Sequence, residues 1–199
     1  MRRISVIENI TLDGIMQSPG RPDEDTRNGF TQGGWASRYM DHVAAEEMVR
    51  GQQEASQFGS AMIFGRVTYA DFATVWPAQV DNPFTEFFAN IDKYVVSNTL
   101  PDELPWVRSH VLRGDGVDVI RQLKEADGPD LNILGSGVLV RSLQEANLID
   151  TYVLSIHPLI LGEGFRLFER SDVLSALKLV RSVPTTTGVI IATYEVDRA

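Results

Sequence analysis

Apolar residues along this chain alternate between short continuous runs and helical spacings. "ISVIENITLDG" predicts a strand from Ile4 to about Thr11, closed by the turn pair Asp13-Gly14. From Gln17 to Gly34 the chain is rich in Gly, Pro, Asp and Asn. That is about 18 residues without periodicity, a length at which loops are often functional. Met40, Val43, Ala44, Met48, Gly51, Ala55 and Phe58 then recur at spacings of three and four, which predicts a helix of about 20 residues with one buried face.

The rest of the chain keeps switching period. "SAMIFG" is the continuous apolar run of a parallel strand covered on both faces, and "RVTYADFATVW" reads as a short helix ending before Pro77. "KYVVSNTL" is a second buried strand with a polar exit, and "VRSHVL" suggests another. "GVDVIRQLKEADG" puts Val117, Ile120 and Leu123 on one helix side and stops at Gly128. "LNILGSG" and "VLVRSLQEANL" form a further strand and helix. "IDTYVLSIHPLILG" is a strand ended by Pro158. "ALKLVRSV" and "GVIIATYEV" form two strands around the turn "PTTTG", adding antiparallel pairing to an otherwise parallel sheet. Strands alternating with helices predict an α/β fold, a single domain over residues 1–199 with no repeat or linker to split it. Ligands in such sheets bind outside the carboxyl ends of the strands, here all polar or glycine-rich.

Composition narrows the function classes. The chain carries 18 basic and 27 acidic residues, a net charge of -9, with no basic stripe for a duplex nucleic acid and little attraction to anionic membranes. An anionic ligand must therefore be held by helix N-termini and single arginines. With no cysteines, disulfides, thiolate catalysis and cysteine-based metal sites are excluded. "MRRISVIENI" lacks the apolar run of a signal peptide and no stretch suggests a membrane span, so a cytoplasmic location is expected.

Three strand exits carry candidate chemistry. In "NILGSGVLVRSL", Gly135-Ser136-Gly137 enters a helix. Glycines let backbone approach a ligand, and a helix start favours negative charge. Val140 stands where a Rossmann fingerprint needs its third glycine, so the turn is either a plain structural one or a phosphate site of another kind. In "FGRVTYADF", Gly65 ends a strand, and Arg66 and Thr68 offer a planar fork and a hydroxyl to phosphate; the alternative is a surface arginine beside an N-capping threonine. Ser97, Asn98 and Thr99 in "VVSNTL" can meet a ribose or phosphate, or simply form a polar turn.

Taken together with "TLDG", "GGWA" and "PLILGEG", these pieces in this order resemble the dihydrofolate reductase superfamily over about Ile4 to Val196. The closer resemblance is to the C-terminal reductase domain of the bacterial bifunctional riboflavin-biosynthesis enzyme. The resemblance implies a three-layer fold on an eight-stranded mixed sheet. It implies NADPH as hydride donor and a small heterocyclic, pyrimidine- or pterin-like substrate, as for the phosphoribosylaminouracil reductase of riboflavin biosynthesis. Gly65, Arg66, Val67 and Thr68 would then meet the cofactor phosphates, and Ser97, Asn98 and Thr99 would lie near the adenosine 2′-phosphate. Gly135, Ser136, Gly137, Val138 and Leu139 would lie on the pyrophosphate and nicotinamide side. Asp13, Gly14 and Met16 would border the nicotinamide and a mobile loop.

Dihydrofolate reductases have two adjacent glycines where this chain has Gly135-Ser136, and a helix carboxylate that helps protonate the pterin. Asp41 is the candidate for that role, or else a first-turn acid complementing the helix dipole. Trp35 either lines the substrate cleft or pins the long loop to the core. His157, before Pro158, is a strand-end structural residue or an acid/base; His42 and His110 have no metal-ligand spacing. A substrate phosphate would call on Arg38 or Arg166. A homodimer is expected. True dihydrofolate reductase activity and a catalytically silent nucleotide-binding module are the alternatives.

Overall fold

A computed structural model describes residues 1–169 and 174–198. Eight strands form one sheet in the order β4-β3-β2-β5-β1-β6-β8-β7. They are β1 (Ile4–Thr11), β2 (Ser60–Gly65), β3 (Asp92–Val96), β4 (Ser109–Leu112), β5 (Asp130–Leu134), β6 (Thr151–His157), β7 (Ala176–Pro184) and β8 (Ile190–Asp197). β4 through β6 pair in parallel along that order. β8 then runs antiparallel to β6, and β7 antiparallel to β8, as the "PTTTG" turn predicts. β2 is buried on both faces, with Ala61 and Ile63 in one core and Met62 and Phe64 in the other. A strand with covered faces cannot alternate apolar and polar residues, which is why it reads as one continuous run.

The helices are α1 (His42–Phe58), α2 (Arg66–Val75), α3 (Pro83–Asn90), α4 (Gly116–Glu125) and α5 (Gly137–Glu145). Ile120 of α4 and Val140 and Leu143 of α5 close one core, while Tyr69 of α2, Phe88 of α3 and Trp106 close the aromatic core opposite. α3 escapes the sequence reading because it has only eight residues, too few for a period to repeat. The Asn82 side chain caps it by accepting the Phe84 N–H at 3.0 Å.

The expected buried face of α1 is not found. None of its residues is buried, and Met48, Val49 and Phe58 are exposed. Its apolar stripe is real, but Ala44 and Met48 face a cavity rather than the core. The segment 17–34 is an ordered Ω-shaped loop. Gly34 N–H donates to the Ser18 carbonyl at 2.8 Å and Ala36 N–H to the Pro19 carbonyl at 3.0 Å, closing its neck. Among the described residues no helix is long and apolar enough to cross a membrane, and no cluster of His, Asp or Glu is placed to hold a metal ion.

Candidate functional site

One cavity of about 900 Å³ runs across the carboxyl ends of β1, β2 and β5, between the Ω-loop, α1 and the starts of α2 and α5. Sheet topology puts it there. β5 inserts between β2 and β1, so the chain leaves these strands toward different helices and a crevice opens above them.

Three helix starts line this cavity, those of α2, α4 and α5, and two of them differ from the rest. α1, α3 and α4 are capped by the side chains of Asp41, Asn82 and Asp115. α2 and α5 have no side-chain cap, at Gly65 and Ser136 respectively. Their first N–H groups are thus left for a ligand, with the positive end of each helix behind them. Arg66 lines the cavity, is exposed and makes no ion pair among the described residues.

The two turns are knitted together. Gly135 is at φ +69 and Ser136 at φ +60. The Ser136 N–H donates to Thr68 Oγ1 at 2.9 Å, and Ser136 Oγ accepts the Gly65 N–H at 2.9 Å. A glycine at 136 would ease the left-handed backbone but lose the clasp to β2. That accounts for a serine where dihydrofolate reductases have glycine.

Of the residues singled out from sequence, Met16, Gly65, Arg66, Val67, Thr68, Gly135, Ser136, Gly137, Val138 and Leu139 line this cavity. The "VVSNTL" exit meets it only through Val96. Ser97 Oγ accepts the Thr99 and Leu100 N–H groups, and Asn98 clasps Gly114, whose N–H it accepts at 2.8 Å; Asn98 and Thr99 are exposed and do not line the cavity. Asp13 and Gly14 lie outside. Asp13 accepts the Leu161 and Gly162 N–H groups and pairs with Arg166, so it organises the turn that carries Met16. Trp35 is buried and donates Nε1–H to the Gln17 carbonyl at 2.8 Å, the loop-pinning role.

Asp41 is not on the cavity wall. One carboxylate oxygen accepts the Ala44 N–H at 2.8 Å and the other accepts the Thr186 N–H at 2.7 Å and the Thr186 hydroxyl. The Thr186 hydroxyl, then the Ala44 N–H, hold its carboxyl down at about 2. A carboxylate so occupied and so acidic has no proton to give at neutral pH, and Asp41 is the N-cap of α1.

Other residues supply the polar groups of the cavity. Asn9 and Ser155 face each other across the β1–β6 ladder, with Ile191 of β8 opposite Ser155. His157 is 4 % exposed, with edge contacts to the Trp35 and Tyr39 rings at 5.1 and 5.5 Å. Its Nε2–H donates to Asn9 Oδ1 at 3.0 Å, leaving Nδ1 buried without a partner. Burial pushes the imidazole down to about 4. The unfolded chain therefore takes up this proton first as pH falls. The His157 contribution to stability is complete above about pH 6.5 and lost between there and about pH 4. Denaturant titrations at about pH 7 and pH 5 should show the loss, and His157→Phe should flatten it; an unchanged slope would exclude His157 as its source.

Glu8 is the residue that motif reading passes over. The alternation of β1 puts it on the same buried face as Ile4, Val6 and Ile10. An acid in that apolar series was a legible signal, hidden because it belongs to no motif. In the fold Glu8 is 4 % exposed and lines the cavity beside Gly135.

Comparison with known proteins follows the same outline. The family described as RibD C-terminal domain matches residues 3–191. An uncharacterized protein of Bacillus subtilis, YyaP, is 30% identical over 105 residues; the match covers 51% of this chain and only 53% of YyaP. A putative riboflavin biosynthesis protein from Shewanella superposes with a TM-score of 0.65 at 22% identity, covering 98% of this chain and 99% of the other. Dihydrofolate reductase from Enterococcus faecalis, complexed with NADP(H), gives a TM-score of 0.58 at 13% identity, covering 98% and 96%.

Proposed function

The chain belongs to the RibD C-terminal domain family, and from that premise we propose that it is an NADPH-dependent reductase of a flat pyrimidine- or pterin-like heterocycle. One observation carries the reading: two uncapped helix starts and an unpaired arginine converge on a single cavity. That combination suits a dinucleotide's phosphates. The α2 start and Arg66 hold the phosphates, and the 135–137 turn holds the pyrophosphate and nicotinamide side. Asn98 and Thr99, exposed two and three residues beyond the cavity-lining Val96, take the 2′-phosphate. Bound there, NADPH supplies the hydride; the chain positions the acceptor and keeps water out.

The acceptor end is built from neutral groups. Asn9, Ser155 and the unpartnered His157 Nδ1 offer donors and an acceptor beside Ile7 and Ile191, and the roof is Ala44 and Met48. This suits a ring with an amide-like edge. The engagement of Asp41 as a cap weighs against the dihydrofolate reductase alternative, whose pterin needs a carboxylate. A homodimer is part of the same proposal. Leu177, Leu179 and Val180 are exposed on edge strand β7, and Arg181 of β7 grips Glu47 of α1 at 2.8 Å beside exposed Met48 and Val49. An apolar edge of this kind favours a partner.

Titration with NADPH is the test, read by calorimetry and thermal shift. At about 100 times Kd the complex should gain about 2.7 kcal/mol of stability. NADH should bind more weakly, and loss of NADPH absorbance with pyrimidine or pteridine acceptors should report turnover. No binding at high micromolar NADPH would overturn the reading. Binding without turnover by any acceptor would leave the silent module.

A further inference from the structure

Glu8 has an unusual combination of surroundings. Its Oε1 is buried without a hydrogen-bond partner, yet the side chain lines the cavity. Burial pushes its carboxyl well above the usual range; a hydrogen bond from the Gly135 backbone pulls it back in part, and the charge of Glu24 pushes the same way as burial.

Among the described residues no ion pair reaches Glu8, and the one cavity arginine without an acid partner, Arg66, is exposed at the start of α2. The charged and titratable groups on the elements around it are Arg21, Glu24, Asp25 and Arg27 of the Ω-loop, Arg66 and Asp71 of α2, Arg141 of α5, Arg166 beyond β6, and Tyr152 and His157 of β6; Arg21 is bound by Asp71 at 2.6 Å. Arg27 is bound by Asp25 at 2.5 Å, Arg141 by Glu169 at 3.3 Å, and Arg166 by Asp13 at 3.7 Å. Tyr152 is pushed up by burial and His157 down, so both are neutral around pH 7. Burial with one oxygen unpartnered and no ion pair favours the un-ionised form of this carboxyl.

Resting on the cofactor reading above, we propose that Glu8 is the proton-holding residue at the nicotinamide end of the cleft: an un-ionised acid beside a reduced ring, a carboxylate beside an oxidised one. The balance of the reaction asks for such a group. Reducing an acceptor takes one hydride, which carries both electrons from the reduced dinucleotide, and one proton. The oxidised ring left behind bears a positive charge. Next to that charge the Glu8 O–H bond would break, its electron pair staying on oxygen, and the proton would pass through the shared cavity to the reduced acceptor seated against Ile7 and Asn9 on the other face of β1. Solvent reprotonates Glu8 once the oxidised dinucleotide has left. Asp41, capped and already ionised, cannot do this.

The test reads binding rather than turnover. Affinities for NADPH and NADP+ are measured by calorimetry from about pH 6 to about pH 9, and their ratio is taken so that the shared phosphates cancel. As pH rises, NADP+ should gain on NADPH by up to about tenfold per pH unit, the slope of one linked proton. Repeating the NADP+ titration in buffers of different ionisation enthalpy should show close to one proton released by the wild-type protein. Glu8→Gln keeps the shape and a neutral side chain, and should bind both forms with a pH-independent ratio. The wild-type proton count stands by itself should that variant fold poorly. If both forms bind with no proton release and a flat ratio, the Glu8 proposal falls and the cofactor reading stands. If neither form binds, both fall together.

Discussion

Gly135→Ala is expected to cost about 3 kcal/mol of stability and to abolish measurable NADPH binding. Gly135 is at φ +69, where a side chain adds strain of about 1 to 3 kcal/mol. An added Cβ would also lie 2.7 Å from Thr68 Cγ2. Thr68 cannot swing aside without releasing the Ser136 N–H, which its hydroxyl accepts at 2.9 Å. Overpacking of this kind costs about 1 to 3 kcal/mol. Together these should lower Tm by roughly 10 °C. Thr68→Ser removes the obstructing methyl and keeps the hydroxyl, so Gly135→Ala/Thr68→Ser should recover about half of the loss. Gly29→Ala is the control. It has a similar φ of +76 but nothing within 4 Å, and should show strain alone. A Gly135→Ala protein as stable as the control, with its NADPH response intact, would refute the tight turn.

Arg66→Ala should separate binding from folding. Arg66 is exposed and has no ion-pair partner among the described residues, so Tm should move little, within about 0.5 kcal/mol of stability. NADPH binding should weaken about 10- to 100-fold, the worth of a charge-assisted contact of about 1.5 to 3 kcal/mol, and become less sensitive to salt. Arg66→Lys should recover only part of the affinity, because it restores the charge without the planar fork. An unchanged Kd in Arg66→Ala would remove this arginine from the site and take with it one of the groups that converge on the cavity.

Both variants touch turns that are visible in the sequence. "GRVTY" and "LGSG" combine glycine with a helix start, and backbone geometry at such a point is a local matter. A neighbour across the fold is not needed to make Gly135 permissive or to place Arg66 at the first residue of α2. The terminal hairpin was equally legible, since its strands and turn are consecutive. α1 was half legible. Its three-and-four spacing identifies a helix but cannot say whether the stripe meets a core or a cavity.

Roles that depend on a distant partner were not legible. Asp41 and Thr186 are 145 residues apart, and only the loop between β7 and β8 brings the hydroxyl that turns a candidate acid into a cap. Ser136 looks like a missing glycine until Gly65, 71 residues away, donates to its hydroxyl.

The sequence by itself determined the order of the strands and of every helix but α3, the terminal antiparallel pair and the glycine turns at the carboxyl ends of β2 and β5, because each rests on local backbone preference and periodicity. The tertiary structure decided which carboxylate is engaged as a cap and which is buried with an unpartnered oxygen. An Asp or Glu has the same charge wherever it stands in the chain. Whether it is an ionised cap like Asp41 or a buried acid like Glu8 depends on the donors and the solvent that the folded sheet leaves around it.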